Sequence, residues 1–500
     1  MFCIIIFESI RNNYGDIAID SVRCILLFLS TIKAMTKNAD ERWFTESLRM
    51  LKAGNRVSSK QSLLSRRPNT LVSRVARAGC VSAMGLLEPV KWHGFAAVQF
   101  EWYRGVDLQL RLKVKLWDEA VFVLSRKIGR INTMSYTNCL PAWSVGPDCY
   151  KDVYGIVRRF GKTAAVIGGK TALSKAYEPL KEALSGTPLT LSEPVWYGDN
   201  ATYENAAALE ALDAVKSADM LFAVGGGRAV DTCKAVAEHL DKPLFTFPTI
   251  ASNCAACTAI GVFYNADDTF RDYFYPTRCP EHTFLNTKIV AEAPEALLWA
   301  GIGDGLSKEC EVELASRGQN LFHTTLLGAQ LAHSCTNPMV EYGATAMEQC
   351  RQNTPGYELE QVALAIVMST GIVSNLTTDA TKYYYNSSLA HCVYYGATMV
   401  PASGGKHLHG EIVAFGVLTL LTYDKQLEER DRVMRFNRSI GLPVTLGEID
   451  LSEENLQTIA DKAATVLEWT KAPYPVTKEA FMQAMRDADA AGKALLAGKR

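Results

Sequence analysis

The feature that most constrains the fold is a series of short apolar runs, of which the first two are followed by glycines and a helical segment. Residues 160–167 and 219–224 are the first two runs, with Gly168-Gly169 after one and three glycines after the other. A third apolar run lies at 243–247. Strands that alternate with helices along a chain form parallel sheets covered by helices on both faces. This part of the chain is therefore predicted to be an α/β domain.

Beyond about residue 290 the hydrophobic periodicity is helical and few strand patterns remain. The main helical candidates are residues 291–313, 324–350, 359–375 and 412–427. Apolar residues in these stretches recur at the spacing of one helix face. The sequence therefore predicts an α/β domain at 134–289 followed by an all-helical domain at 290–500.

Residues 1–133 differ from the rest of the chain in charge. They carry about 21 Lys and Arg against about 11 Asp and Glu, whereas the remainder carries about 31 against about 42. Their apolar residues keep no sustained helical or strand period, so no fold is predicted for them. Three interpretations stay open: a disordered or weakly ordered extension, translation that begins at Met134 instead of Met1, and a small accessory domain.

Composition excludes several classes of protein. The chain has 500 residues and a net charge of −1, so neither a basic nucleic-acid surface nor an acidic tail is predicted. The apolar stretches near the N-terminus are much shorter than the roughly 20 residues that cross a membrane. Thirteen cysteines at irregular spacing argue against a disulfide framework. We expect a cytoplasmic homo-oligomer that binds a small-molecule substrate, no nucleic acid and no membrane.

Three consecutive glycines, Gly225, Gly226 and Gly227, lie directly after an apolar strand and before a helix. Glycine lets the backbone approach a ligand closely, and the free N–H groups at a helix start attract phosphate. The triplet is neither GxGxxG nor a P-loop, so a simple tight turn is an equal alternative for it. The longer string GGGRAVDTCK at 225–234 is far more specific.

Histidine is scarce in the chain, with eight in all, so its placement in the helical part is informative. Asp304 ends the string GIGD, His391 lies within LAHC, and His409 begins HGEIVAFG. Two imidazoles and one carboxylate suit Zn²⁺ or Fe²⁺ and leave coordination positions open for a substrate. The ordinary alternatives are a helix cap at Asp304 and hydrogen-bonded histidines, and His407 competes with His409 as a ligand.

Four strings together resemble the motifs of the iron-containing alcohol dehydrogenase superfamily, in particular its glycerol dehydrogenase-like branch. They are GGGxxxDxxK at 225–234, GxGD at 301–304, AH at 390–391 and HGxxVAFG at 409–416. The resemblance covers about residues 134–500. It implies a Rossmann-like nucleotide-binding domain followed by a helical metal-binding domain, the dehydroquinate synthase-like architecture. It also implies NAD(P), one divalent metal ion held by Asp304, His391 and His409, and hydride transfer between nicotinamide and a carbonyl carbon.

Position by position, the resemblance also implies contacts to the nucleotide. Gly227 and Arg228 would contact its phosphates beside Gly225 and Gly226. The residues that would line the rest of it are Thr249, Ser252, Thr258, Ile260 and Tyr264. NAD-specific relatives tend to carry an Asp for the ribose 2′-hydroxyl after the first strand. This chain has Gly168-Gly169-Lys170 there, which predicts that NADPH is accepted at least as well as NADH.

The segment PTIASNCAAC at 248–257 departs from glycerol dehydrogenases at one informative position. Their substrate-contacting Asp falls at Cys254, and a thiol accepts hydrogen bonds from polyol hydroxyls poorly. The Cys-Ala-Ala sequence resembles instead the hydroxycarboxylate dehydrogenases, a subgroup that reduces 2-oxo acids. We therefore predict a 2-oxo acid/2-hydroxy acid dehydrogenase. The alternatives are a glycerol (polyol) dehydrogenase that produces dihydroxyacetone and a non-redox, lyase-like protein that binds metal and NAD.

Five side chains are interpreted from their position in these strings. Cys254 and Cys257 form a CxxC, which we interpret as pocket or packing residues because no second pair completes a zinc site. His407 is a candidate relay for the substrate proton. Lys406 and Arg228 are candidates for attracting an anionic substrate.

Overall fold

The computed structural model describes residues 136–498. The expectations for residues 1–133 therefore lie outside the described residues. Strands β1 to β11 are Trp143–Val145, Thr163–Gly168, Thr190–Leu191, Val195–Trp196, Met220–Val224, Leu244–Phe247, Gly261–Tyr264, Phe270–Phe274, His282–Leu285, Thr378–Asp379 and Tyr383–Tyr384.

Helices make up most of the second half. Helices α1 to α18 are Val153–Val157, Lys170–Ala183, Tyr203–Glu210, Asp213–Ser217, Gly227–His239, Thr287–Ala291, Glu295–Gly305, Ser307–Ser316, His323–Ala332, Thr336–Arg351, Tyr357–Leu364, Thr370–Thr377, Leu389–Ala397, Pro401–Gly404, His409–Tyr423, Leu427–Ile440, Leu456–Ala463 and Lys478–Leu496. A π-helical turn, Ala365–Ser369, joins α11 to α12. Short 3₁₀ helices are Cys149–Asp152, Ala255–Cys257, Leu446–Ile449, Glu453–Asn455 and Leu467–Lys471.

Seven strands form one parallel sheet in the order β1-β9-β6-β5-β2, and β3 and β4 both pair with β2 at its other edge. From β2 the chain first adds β3 and β4 on one side and then crosses to β5 on the other. This reversal of direction leaves a crevice beyond the carboxyl ends of β2 and β5. Open α/β sheets bind ligands at such a reversal point.

The sheet is apolar on both faces because helices cover both. Its central strands are buried along their whole length, with β5 reading MLFAV and β6 reading LFTF. On one face the strands pack against Leu173, Ala176 and Leu180 of α2. On the other face they pack against Val230 and Val236 of α5. The α/β domain predicted from the alternating pattern is confirmed.

The helical part is confirmed as well, but its elements are shorter than the periodicity predicted. The run at 291–313 is divided at Pro294, the residue before α7. The run at 324–350 is divided between α9 and α10, and Pro338 lies in the first turn of α10. A proline lacks the N–H needed inside a helix but is tolerated in the first turn, so both prolines mark helix starts.

Several strands were not predicted. The strands β1 and β9 widen the parallel sheet, and β7 pairs with β8 in an antiparallel hairpin. The strands β10 and β11 form a two-residue ladder inside the helical part, so that part is not purely helical. All of these strands have five residues or fewer. Strands of this length were predicted only where they are continuous apolar runs, and polar residues interrupt such runs in WSV of β1 and FRDYF of β8.

Among residues 136–498, one continuous run, Tyr357–Thr377, is long and apolar enough to cross a membrane by length and composition. Of its most apolar window, 72% is buried inside the protein. Such burial inside the protein is typical of a helix in the core.

Two helices of the second half touch backbone to backbone. A Cβ atom at Gly410, the second residue of α15, would lie 1.8 Å from the carbonyl oxygen of Ala300 in α7. A Cβ at Gly303 would lie 2.3 Å from the carbonyl oxygen of Gly410. Only residues without a side chain allow this approach, which brings the ends of α7 and α15 together.

We expect Gly410→Ala to lower the free energy of unfolding by about 1–3 kcal/mol, because the added methyl group forces the two helices apart. Chemical denaturation measures the change. Gly155→Ala in α1 is the matched control, since its Cβ would meet nothing within 4 Å. The control should be neutral or slightly stabilising. Equal stability of Gly410→Ala and the unaltered protein would contradict the importance of this contact.

Candidate metal and nucleotide site

Three ligand-type side chains converge where α7, α13 and α15 meet. Asp304 Oδ1 lies 3.0 Å from His409 Nε2 and 3.6 Å from His391 Nε2. One candidate donor atom from each residue lies within 4.8 Å of the other two. Asp304 is in the last turn of α7, His391 in the first turn of α13, and His409 begins α15. The fold thus brings together the three residues that the sequence put forward as ligands.

Donors at this spacing fit one divalent ion. Ligand atoms about 2.1 Å from a tetrahedral ion are about 3.4 Å from each other, close to the separations within this cluster. One carboxylate with two imidazoles is a donor set that Zn²⁺ and Fe²⁺ both accept. The side chain of His409 is 42% exposed, so a small molecule can reach that side of the cluster.

A buried carboxylate orients His391 from behind. Glu311 Oε2 lies 2.7 Å from His391 Nδ1, and its Oε1 accepts the backbone N–H groups of Ser388 and His391 at 2.8 Å and 3.0 Å. The side chain of Glu311 is fully buried. Because Nδ1 is engaged by Glu311, Nε2 is the nitrogen that faces the cluster. Metal-binding histidines are commonly held by such a second hydrogen bond.

The charges of the cluster stabilise one another. Burial acts to raise the pKa of Asp304, but His409 and His391 outweigh it and hold that pKa well below its ordinary value. Burial acts to lower the pKa of His391, but the carboxylates of Glu311 and Asp304 raise it to about 10. The field at this point therefore favours positive charge, which is the field that a bound cation needs.

His407 lies outside this cluster. Its Nδ1 is 2.8 Å from Glu411 Oε1, and its Nε2 is 3.0 Å from Asp450 Oδ2. Burial acts to lower the pKa of His407, but the two carboxylates raise it. Because carboxylates engage both ring nitrogens, His407 is not a rival of His409 as a ligand, and its role as a proton relay stays a prediction.

The glycine triplet joins β5 to α5 at the crevice between β2 and β5. Gly226 precedes the helix and Gly227 begins it. The first N–H groups of a helix have no partner within the helix, so they remain free to bind phosphate at this crevice. Arg228 follows in the first turn, with its guanidinium 4.9 Å from the ring centroid of Tyr264.

The DxxK part of the same string has a structural role. The Lys234 ammonium donates to Asp231 Oδ1 at 2.9 Å, to Thr258 Oγ1 at 3.2 Å and to the Ile260 carbonyl at 2.5 Å. Asp231 Oδ2 accepts the N–H of Val262 at 3.0 Å. Both charged side chains are buried. They fix residues 258–262 against α5, including Thr258 and Ile260, which were expected at the nucleotide.

The loop after β6 carries Thr249 and Ser252 and packs directly on the helix of Asp304. A Cβ at Gly301 would lie 2.1 Å from the carbonyl oxygen of Ala251 and 2.9 Å from the Cα of Ser252. The first glycine of the GxGD string therefore admits the loop, and its Asp lies one turn further along the helix. This contact places the expected nucleotide loop beside the metal cluster.

Tyr394 lies between the two regions. Its ring centroid is 4.1 Å from that of His409. Burial raises the pKa of Tyr394 to about 12, while Arg228 acts to lower it and Asp304 to raise it further. Tyr394 is therefore a buried phenol in contact with a candidate metal ligand.

The two cysteines of the CxxC differ in environment. Cys257 is fully buried and its thiol donates to the Val367 carbonyl of the π-helical turn at 3.0 Å. Burial raises the pKa of Cys257 well above its ordinary value, which disfavours the reactive thiolate. Cys254 is partly exposed, and its Sγ is 3.9 Å from Ser374 Oγ. Cys257 is thus a packing residue, and Cys254 remains the accessible thiol.

Three contributors were not predicted. Glu311 lies in a helix with several acidic residues, a composition typical of a solvent-exposed helix. The sequence therefore did not predict that Glu311 is buried behind His391. Asn375 ends an apolar helical run, yet it accepts the N–H of Ala259 at 2.9 Å and donates to the Cys257 carbonyl at 3.0 Å. Lys308 of α8 is the third, a buried lysine whose ammonium donates to the Asn386 carbonyl at 3.2 Å. The only hint in the sequence was the i, i+7 spacing of Asp304 and Glu311, which are about two helical turns apart on one face.

The two cations expected to attract an anionic substrate both have acidic partners. Arg228 lies 3.3 Å from Asp268 Oδ1, and the Lys406 ammonium is hydrogen-bonded to Asp450. Their charges are therefore already compensated within the protein.

Comparison with known proteins gives matches to one family of enzymes. A protein-family model described as iron-containing alcohol dehydrogenase matches residues 141–287. The chain is 33% identical over 306 residues to glycerol dehydrogenase from Thermotoga maritima. The matched region is 59% of this chain and 81% of that protein. The chain is 30% identical over 297 residues to hydroxycarboxylate dehydrogenase A from Escherichia coli. Here the matched region is 58% of this chain and 78% of that protein.

The fold has solved counterparts. The crystal structure of glycerol dehydrogenase from Schizosaccharomyces pombe aligns with 73% of this chain and 94% of its own, with a TM-score of 0.64 at 21% identity. The chain belongs to the iron-containing alcohol dehydrogenase family, in its glycerol dehydrogenase-like branch. It is an NAD(P)-dependent alcohol dehydrogenase that acts on CH–OH groups, and the family implies a divalent metal ion as a second cofactor.

We expect Glu311→Gln to weaken Zn²⁺ binding about 10- to 100-fold, because a neutral amide orients the His391 ring less firmly and no longer raises the basicity of its Nε2. Competition with a chromophoric chelator measures the affinity. Glu309→Gln is the matched control on the same helix, since the Glu309 carboxylate is 2.9 Å from Nδ1 of the half-exposed His333. Equal Zn²⁺ affinity in the two variants would show that Glu311 does not support the site.

Proposed function

We propose that the enzyme interconverts a small 2-oxo acid and the corresponding 2-hydroxy acid, using NAD(P) and a Zn²⁺ or Fe²⁺ ion. The observation that carries this proposal is Cys254, at the position where glycerol dehydrogenases are expected to have an Asp. A carboxylate there would accept hydrogen bonds from polyol hydroxyls and repel an anionic substrate. A neutral thiol does neither.

The two residues described beside the Cys254 side chain, Ser374 and Gly371, are uncharged, which supports this proposal. Its Sγ faces Ser374, whose hydroxyl donates to the Thr370 carbonyl at 2.9 Å. The Cβ of Cys254 would lie 3.3 Å from a Cβ at Gly371, so small residues line this side. The identity of 30% to hydroxycarboxylate dehydrogenase A is in line with the same substrate class.

Different residues of the chain bind the ion and the nucleotide. In this proposal Asp304, His391 and His409 hold the ion, which when bound supplies a positive centre that polarises the substrate carbonyl. The free N–H groups at the start of α5 bind the nucleotide phosphates. The loop that carries Thr249 and Ser252 packs on α7, so it holds the nicotinamide side of the nucleotide beside the ligands. Reduction delivers a hydride to the carbonyl carbon and a proton to its oxygen, and the task of the protein is to hold these atoms in contact.

A second candidate is the oxidation of glycerol to dihydroxyacetone. The identity of 33% to glycerol dehydrogenase from Thermotoga maritima favours it. The two candidates share fold, nucleotide and ligands and differ at Cys254.

The metal-loaded protein should reduce 2-oxobutyrate with a kcat/KM at least roughly 10-fold above that for dihydroxyacetone. Absorbance at 340 nm follows the reaction, with a sample that lacks substrate as the blank. Cys254→Asp should lower the value for 2-oxobutyrate, because the new carboxylate repels the substrate. Cys254→Ser is the matched control and should keep the preference. A higher kcat/KM for dihydroxyacetone in the unaltered enzyme would favour the polyol candidate instead.

For the nucleotide, we propose that NADPH is accepted at least as well as NADH. The strand β2 ends at Gly168, and Lys170 begins α2 at the same crevice as the glycine triplet. Its ammonium lies 4.2 Å from the ring centroid of Trp196, the last residue of β4. A cation held at the end of two neighbouring strands suits a 2′-phosphate, whereas the Asp of NAD-specific relatives would repel it.

Lys170→Ala should lower kcat/KM for NADPH about 10-fold, through loss of a charge-assisted contact, and leave the value for NADH nearly unchanged. Steady-state kinetics with both nucleotides measures this. Lys175→Ala, on the exposed face of the same helix, is the control. A strong preference of the unaltered enzyme for NADH would contradict the proposal.

A further inference from the structure

One buried lysine has no acidic partner. Lys308 in α8 is only 7% exposed. Its ammonium donates to the carbonyl oxygen and to Oδ1 of Asn386, at 3.2 Å and 2.6 Å. Among residues 136–498, no carboxylate lies within 4.0 Å of it. A buried ammonium without a counter-ion is costly, so this position calls for an anion.

The other buried cations of the described chain are all compensated. Lys234 is 2% exposed and lies 2.9 Å from Asp231 Oδ1. Arg430 is 5% exposed and lies 2.7 Å from Asp431 Oδ1. The neighbouring Glu309 is engaged by His333 at 2.9 Å. Lys308 is thus the exception among residues 136–498, where each other buried cation is paired with an acid.

Lys308 lies beside the candidate metal cluster along the chain. It follows Asp304 by four residues and precedes Glu311 by three, and the backbone is helical across the junction at Leu306. Residues three or four apart share one face of a helix. The partner of its ammonium, Asn386, lies just before α13, which carries His391.

Lys308 also lies on the side of the expected substrate pocket. Val312, four residues after Lys308 on α8, packs in one buried cluster with Cys335 and with Val373 of α12. The residue after Val373 is Ser374, whose Oγ lies 3.9 Å from Cys254 Sγ. Cys254 is the position assigned above to the substrate. The buried cation is thus flanked by the candidate metal ligands and by the substrate side of the cleft.

We propose that Lys308 binds the carboxylate of the 2-oxo acid substrate, an inference that rests on the substrate class proposed above. The ammonium has three N–H donors, and Asn386 accounts for two hydrogen bonds. In a 2-oxo acid the carboxylate is bonded directly to the carbonyl carbon. A cation one helical turn from a ligand of the ion therefore suits the second anionic end of that substrate. Lys308, and not Lys406 or Arg228, discriminates acids from neutral ketones.

The test compares two substrates that differ only at C1, the acid 2-oxobutyrate and the neutral 1-hydroxy-2-butanone. Lys308→Met should lower kcat/KM for 2-oxobutyrate roughly 10- to 100-fold, as expected for loss of a charge-assisted hydrogen bond. The value for 1-hydroxy-2-butanone should change less than about threefold. Lys308→Gln keeps a donor for Asn386 but removes the charge, so it should behave like Lys308→Met. Lys478→Met removes a surface lysine and should affect neither substrate.

Binding of oxamate, a non-reacting anion, provides a readout that is independent of turnover. Quenching of bound NADPH fluorescence should show oxamate affinity reduced at least roughly 10-fold in both Lys308 variants, with NADPH affinity unchanged. Equal losses for both substrates, or unchanged oxamate affinity, would overturn the role of Lys308. If the unaltered enzyme reduces 1-hydroxy-2-butanone but not 2-oxobutyrate, the proposed substrate class fails, and the oxamate titration still decides whether Lys308 binds a carboxylate.

Discussion

The close approach of α7 and α15 is the constraint on which the site depends. Gly303 and Gly410 let the two backbones touch, and this contact brings Asp304 within 3.0 Å of His409. Gly301 on the same helix admits the loop that follows β6. Two glycines of α7, Gly301 and Gly303, therefore set the position of the candidate ligands relative to each other and to the nucleotide loop. Side chains larger than hydrogen would separate all three parts at once.

Buried ion pairs also hold the site in position. Glu311 and Asp304 together hold His391 between two carboxylates, and Lys234 with Asp231 ties the strand after the nucleotide loop to α5. In each case a buried charge has a partner of opposite sign and further hydrogen bonds, the condition under which burial is tolerated. Rigid ligands and a rigid loop follow from this pairing. The chemistry then requires only that substrate and nicotinamide be held between them.

Much of this arrangement was predictable from the sequence, and the limits have physical reasons. The apolar runs that became β2, β5 and β6 were recognisable because strands covered on both faces are apolar throughout. Asp304, His391 and His409 were recognisable because glycine-rich strings surround two of them, and these glycines are fixed by backbone contacts. Glu311 and Asn375 were not, since a polar side chain in a helix gives no sign of the direction in which its partner lies.

The π-helical turn at Ala365–Ser369 has a geometric effect on everything that follows it. A turn closed by i→i+5 hydrogen bonds takes up about one residue more than an α turn, which amounts to about 100° of rotation about the helix axis. Ser374 and Asn375 come after this turn and face residues 254–259. Without the extra residue, the same two side chains would point about a quarter-turn away from their present direction. The cleft would then lose the hydroxyl beside Cys254 and the amide that is hydrogen-bonded to the loop.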